Sequence, residues 1–194
     1  YSYIYSVGIA IFIAFLINAA CIVMYEQVQE NANVEIYARM AYMDTMTGLG
    51  NRTAFLEENK SNAVFPGMIS YIMMDANNLK KINDSLGHNK GDELIITIAK
   101  CMRAAVGQNG QCYIGGDEFV IILKNKTAEE TEEIIRQVRA EIEFADEQSD
   151  IPISVAMGYA WTDAEEKNLP ELIHCADEKM YKDKKRIKEN TSSA

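Results

Sequence analysis

The sequence predicts an α/β fold: helices covering a sheet that contains one antiparallel β-hairpin, preceded by one long apolar helix. Three observations predict it. The runs GMISYIMMD (67–75) and IPISVAMGYAW (151–161) are almost wholly apolar and short, as buried strands are. QCYIGGDEFVIIL (111–123) sets two strand-like runs around a Gly-Gly pair, a known hairpin turn signal. Amphipathic stretches of helical length, 91–105, 127–145 and 168–189, lie between and after these strands. Strands alternating with helices bury both element types by packing helices over a sheet.

The elements follow in chain order. YIYSVGIAIFIAFLINAACIVMY (3–25) has no charged residue, and a bilayer core needs about 20 apolar residues as helix. It lacks the basic n-region and small-residue cleavage site of a signal peptide, so residues 1–25 are read as a transmembrane helix. The chain opens on Tyr1 rather than Met and is expected to continue a longer membrane protein. Residues 26–43 read as a linker helix, because Val28, Ala32, Ile36 and Met40 recur at helical spacing among charged residues. That stripe suits either packing on its own domain or a short coiled coil between two protomers. NRTAFLEENKSN (51–62) reads as a helix with Phe55 and Leu56 facing inward. Strand 67–75 ends on Asp75, and Asn77, Asn78, Lys80 and Lys81 then open a turn or short helix. The helix over 127–145 starts at a Thr cap. Residues 44–189 form the folded domain and 190–194 a frayed tail.

Composition narrows the chemistry. A net charge of −10 and a pI near 4.7 repel phosphate backbones, so general nucleic-acid binding is disfavoured. Cys21, Cys101, Cys112 and Cys175 form no CxxC pair and no zinc spacing with His88 or His174. They read as reduced, mostly buried thiols of a cytosolic domain.

If the strand ending at Asp75 neighbours the hairpin, Asp75, Asp117 and Glu118 gather at one edge of the sheet. Carboxylates that close repel unless a cation neutralises them. Hard oxygen ligands suit Mg²⁺, which binds through a few carboxylates plus substrate phosphates, as in two-metal phosphoryl transfer. The competing reading is that Asp117 and Glu118 are the polar tip of an exposed turn. Backbone N–H groups past Asp75 offer an anion site. Asn83 and Asp92 supply an amide and a carboxylate; together these accept from and donate to guanine, while adenine would leave the carboxylate unpaired. Their plainer use is turn formation and capping. Lys184 and Lys188 lie one turn apart and suit a triphosphate, or simply a solvated helix end.

Four ordered blocks carry a family resemblance. DTMTGLGNR (44–52) is similar to the pattern D-x-L-T-G-L-x-N-R, and DANNLKKINDSLGHNKGDEL (75–94) to the block that begins at a metal-binding Asp. GGDEF (115–119) is an intact signature, and ADEKMYKDKK (176–185) resembles A-D-x-A-L-Y-x-A-K. From Asp44 to about Lys188 the chain thus resembles the GGDEF domains of bacterial diguanylate cyclases. The resemblance implies a sheet like the palm of nucleotidyl cyclases and polymerases. It implies condensation of two GTP into cyclic di-GMP and two pyrophosphates, each protomer of a homodimer holding one GTP. Asp75, the Ala76 carbonyl and Asp117 would ligate metal, with Glu118 taking the second ion or helping to deprotonate the 3′-hydroxyl. The ions would be two Mg²⁺, with Mn²⁺ as the substitute. Asn83 and Asp92 would read guanine, so GTP alone is expected as substrate. Backbone around Asn78, Leu79 and Lys80 would hold the β- and γ-phosphates, with Lys184 and Lys188 closing on them. The location implied is a bacterial inner membrane, with the catalytic domain in the cytoplasm and an unknown sensor region upstream.

Several positions depart from the pattern. Asn77 replaces a second Asp, and Tyr113 replaces an Arg two residues before Gly115. An Arg-x-x-Asp product-inhibition motif would fall at Val106 and Asn109 and is absent, so no feedback binding of product is expected there. Ile187-Lys188 replaces a Gly-Arg, which keeps the charge without the planar fork. Two other functions compete: a GTP-binding regulatory module without turnover, and a structural dimerisation domain. Apposed half-sites make activity depend on dimer geometry, which the linker helix is expected to set.

Overall fold

The computed structural model describes residues 2–108 and 110–192. It falls into two compact units, 1–41 and 42–194. The first is the body of α1 (Ser2–Tyr42), 41 residues without a break. Within it Phe12–Asn31 is long and apolar enough to cross a membrane by length and composition. Val28, Ile36 and Met40 are exposed.

The second unit is built on four strands, β1 (Ile69–Ala76), β2 (Gly110–Gly115), β3 (Glu118–Lys124) and β4 (Val155–Thr162). Their order is β2-β3-β1-β4, and every pairing is antiparallel. β1 has a partner on each side and helices on both faces, which is why its sequence is a nearly continuous apolar run. Among the described residues α3 (Leu79–Leu86) and α4 (His88–Val106) join β1 to β2 and α5 (Ala128–Gln148) joins β3 to β4, while α2 (Arg52–Asn62) precedes β1 and α6 (Leu169–Ser192) follows β4.

The period-2 geometry of strands divides the core in two. Ile72, Met74, Phe119, Ile121 and Leu123 face α4 and α5, where they meet Leu94, Ile98, Met102, Ile134 and Val138. Tyr71, Tyr113, Val120 and Ile122 face the other way, with Phe55 of α2 and Leu169 and Ala176 of α6. Buried Tyr71 stays satisfied because Asn62 Nδ2 donates to its hydroxyl at 3.1 Å while the hydroxyl donates to Asn59 Oδ1 at 2.5 Å. Burial is the main reason its pKa is raised to about 12.

Several sequence expectations shift. Leu56 is 50% exposed, whereas Phe55 faces inward and its ring meets Tyr71 and Tyr113 edge-on. The hairpin turn is Gly116–Asp117 rather than Gly115–Gly116, because Gly115 already pairs with Glu118. Gly116 takes φ +78°, which two-residue hairpin turns need. β4 begins at Val155, since the backbone before it is held locally: Ile151 N–H donates to Ser149 Oγ and Ile153 N–H to Asp146 Oδ1. The thiols are free but not mostly buried, as Cys21 and Cys175 are exposed. Val106 is buried in the core, and Asn109 lies outside the described residues, as do 193–194 of the expected tail.

Thr127 caps α5 in a reciprocal box with Glu130, the hydroxyl accepting from the Glu130 N–H and the Glu130 carboxylate from the Thr127 N–H. Thr127→Ala is expected to lower stability by about 1 kcal/mol, checked by urea denaturation of the full chain in detergent.

Candidate functional site

Asp75 is the last acidic residue before β1 ends, and its register partner across β3 is Glu118. Paired residues in antiparallel strands project from the same face, so these two carboxylates lie side by side at the sheet's end. Asp117 sits in the adjoining turn, and its carbonyl accepts from the Ala76 N–H at 3.0 Å, which ties the signature turn to the end of β1. Asp75 is 7% exposed, and Lys184 Nζ donates to its Oδ1 at 2.6 Å. Glu118 is exposed. Burial raises its pKa most, followed by the charges of Asp117, Asp177 and Asp75, with Lys184 opposing them.

The site therefore carries more negative charge than the Lys184 ammonium offsets. The donors are all oxygens, so the residues fit a hard divalent cation. Among the described residues no three His, Cys, Asp or Glu side chains lie close enough to form a metal-binding group. The acidic set consists of the Asp75–Glu118 pair, with Asp117 in the turn and Asp177 contributing charge from α6.

Beyond β1 the chain is pinned back to the sheet. Asn77 N–H donates to Ser154 O at 2.9 Å and Asn77 Nδ2 to Ser154 Oγ at 3.0 Å, so Asn77 serves the loop structurally. Asn78 then turns through φ +62° and opens α3 without a side-chain cap. The first intrahelical bond runs from Ile82 N–H to Asn78 O, which leaves the N–H groups of Leu79, Lys80 and Lys81 without helical partners. Asn83, one turn further, packs against Gly91, where any Cβ would collide with its Oδ1. That oxygen is buried with no hydrogen-bond partner among the described residues, and Asp92 follows Gly91 on the exposed side of α4. The α3–α4 helix pair thus brings Asn83 beside the segment that carries Asp92.

Lys188 is exposed at the far end of α6. Tyr113, at the position of the missing Arg, is buried, and its hydroxyl donates to Gln111 Oε1 at 2.6 Å. It forms one wall of a cavity of about 570 Å³ with Arg52, Phe55, Met73, Val120 and Glu118.

Asp177 and Asp183 received no role from the sequence. Asp177 lies seven residues before Lys184, two helical turns, and that spacing puts both on one face of α6. Asp183 required the fold, because two of its partners, Met157 and Arg139, are on β4 and α5.

The family pattern described as "Diguanylate cyclase, GGDEF domain" matches residues 41–190. The diguanylate cyclase DgcP of Escherichia coli (strain K12) is 33% identical over 172 residues, which is 84% of this chain and 49% of that protein. The cyclic di-GMP phosphodiesterase PdeB of Shewanella oneidensis is 29% identical over 160 residues, 80% of this chain and 19% of that protein. The chain therefore spans half or less of these relatives. The solved coiled coil and GGDEF domain of DgcB from Caulobacter crescentus, in complex with c-di-GMP, superposes with a TM-score of 0.76 at 22% identity. It covers 88% of this chain and 94% of that one, and at this identity it shows the fold alone.

Proposed function

The chain belongs to the GGDEF family of diguanylate cyclases, and from that premise we propose that it condenses two GTP into cyclic di-GMP with release of two pyrophosphates. Cyclic di-GMP synthesis is the activity of the family, whose members generally use divalent metal ions. Two protomers face each other, each 3′-hydroxyl attacking the α-phosphate of the other's nucleotide as pyrophosphate leaves. The observation that carries this reading is the in-register pair Asp75–Glu118 beside the intact signature, with Lys184 on Asp75.

Asp75, Glu118 and the Ala76 carbonyl would hold Mg²⁺ or Mn²⁺; the register favours Glu118 over Asp117 as the first partner of Asp75. The bound ion supplies charge neutralisation at the α-phosphate and a lowered pKa for the attacking hydroxyl. Asp117 holds the turn to β1 through its carbonyl and adds negative charge near Glu118. The free N–H groups of Leu79, Lys80 and Lys81 bind the β- and γ-phosphates at the start of α3. Lys184 passes from Asp75 to the phosphates when nucleotide arrives, and Lys188 joins it from the next turn. The Asn83 amide, whose Oδ1 has no partner among the described residues, and Asp92 read guanine: the carboxylate accepts from N1–H and the exocyclic amine, both absent from adenine in that arrangement.

The full chain in lipid nanodiscs, given Mg²⁺ and GTP, is expected to form cyclic di-GMP and pyrophosphate. GTP binding without product would assign it instead to the nucleotide-binding regulatory modules.

α1 crosses the bacterial inner membrane with the folded unit in the cytoplasm, and transmits the state of an upstream region through one unbroken helix. Ala32→Pro removes a helical hydrogen bond and kinks the helix, at about 3 kcal/mol. It is expected to change cyclic di-GMP output of membranes severalfold; an unchanged output would remove α1 as transmitter.

A further inference from the structure

Asp183 stands directly before Lys184, where the closing pattern A-D-x-A-L-Y-x-A-K has alanine. Its side chain is only 9% exposed, and three donors meet it. Oδ2 accepts from Arg139 Nη2 at 2.9 Å and from the Met157 N–H at 3.0 Å; Oδ1 accepts from Arg186 Nη2 at 2.6 Å. Burial pushes its pKa up, but the donors outweigh burial and hold it below the usual carboxylate value.

The positions of these donors give the contact its consequence. β4 is the last strand of the sheet, so one row of its backbone groups has no neighbouring strand. α6 fills that row with side chains: Asp183 takes the Met157 N–H, and Lys179 Nζ donates to the Tyr159 carbonyl at 2.9 Å. Arg139 comes from α5, on the opposite face of the sheet. The Arg139–Asp183 pair therefore clasps both helical layers around the open edge.

Ala176, Met180 and Lys184 follow at four-residue intervals on α6; the first two are buried against the sheet, and the third extends past its end to Asp75. Successive residues of a helix are about 100° apart. With Asp183 fixed to the β4 edge, the direction of Lys184 is set by helix geometry. A roll of α6 by a fraction of that angle would carry the ammonium off Asp75.

We propose that Asp183 is a positioning residue for the cyclase reaction: its clasp on Arg139 and the Met157 N–H fixes the roll of α6 that delivers Lys184 to Asp75. The inference rests on the phosphate-binding role proposed for Lys184.

The test uses the full chain in nanodiscs for kinetics, and crystal structures of the nucleotide-free variants for the Lys184–Asp75 contact. Asp183→Ala is expected to raise KM for GTP about tenfold while kcat falls less, and to release Lys184 from Asp75. Arg139→Met, which leaves the Met157 bond in place, gives a smaller shift in the same direction. Arg186→Ala, whose side chain is 68% exposed, leaves KM unchanged and excludes a general charge effect. Should Asp183→Ala fail to fold, Arg139→Met decides by the same two readouts. An unaltered KM with Lys184 still on Asp75 overturns the inference. If the unaltered chain makes no product, the cyclase reading falls; the clasp then stands on release of Lys184 in the variant structures and falls on its retention.

Discussion

Glu118→Gln is expected to cut cyclic di-GMP formation by about 10²–10³-fold, the usual cost of removing one group that stabilises developing charge in a closed site. The substitution keeps the size of the side chain and removes its charge. In the proposed site Glu118 shares a cation with Asp75, its partner across the β1–β3 ladder. An amide leaves that cation one carboxylate short, so kcat falls, and higher Mg²⁺ recovers only part of it. The same change is expected to stabilise the metal-free fold at neutral pH. Burial and the charges of Asp117, Asp177 and Asp75 raise the pKa of Glu118 in the folded state. A carboxyl whose folded pKa lies above its unfolded value favours folding least when ionised. The folded state therefore loses stability as pH rises from the unfolded pKa through the folded one, and the loss is complete above both. The neutral amide escapes that loss, so the variant's thermal midpoint in chelator should exceed the wild type at pH 7 and match it more closely at pH 4. Pyrophosphate release and thermal denaturation measure the two halves separately. An undiminished rate would remove Glu118 from the metal site and shift that role to Asp117, which the turn sets beside it.

The limits of the sequence show at particular residues. Apolar runs and caps place β1, β3 and α5 well, because burial on both faces of a strand and a Thr-x-x-Glu box leave local marks. Gly115-Gly116 allows a turn at either of two positions, and only the pairing of Gly115 with Glu118 selects Gly116–Asp117. That one-residue step decides which carboxylate shares a face with Asp75. The start of β4 is hidden because Ile151 and Ile153 are as buried as strand residues, although their N–H groups bond to the end of α5. Leu56 looks like a core residue by type and is half exposed. The lysines of α6 resemble a solvated helix end, and nothing local separates Lys184, which reaches a buried carboxylate, from its exposed neighbour Lys185. That distinction comes from Gly158 and Asp183, which hold the helix to β4.

Gly158→Ala is expected to destabilise the folded unit by about 3 kcal/mol or more, the upper end of the cost of overpacking a core. A Cβ at this position in β4 would overlap Met180 N and the Ala176 carbonyl oxygen, and would lie 2.6 Å from the Lys179 carbonyl carbon. All three are backbone atoms, so no rotamer change relieves the overlap, and α6 must move away from the sheet. A glycine inside a strand often marks such a close backbone approach. For a chain of this size about 3 kcal/mol corresponds to a fall of roughly 6–12 °C in thermal midpoint. Gly115→Ala is the matched control for stability, because nothing lies within 4 Å of its added Cβ, and its midpoint should stay near wild type. The displacement also has a functional consequence. Lifting α6 carries Lys184 away from Asp75, so Gly158→Ala protein that remains folded at low temperature should bind GTP more weakly than wild type. Isothermal titration with GTP and Ca²⁺ in place of Mg²⁺ measures this without turnover. A wild-type midpoint would mean that α6 stands off β4, and the reach of Lys184 to the end of β1 would then need a cause other than backbone contact.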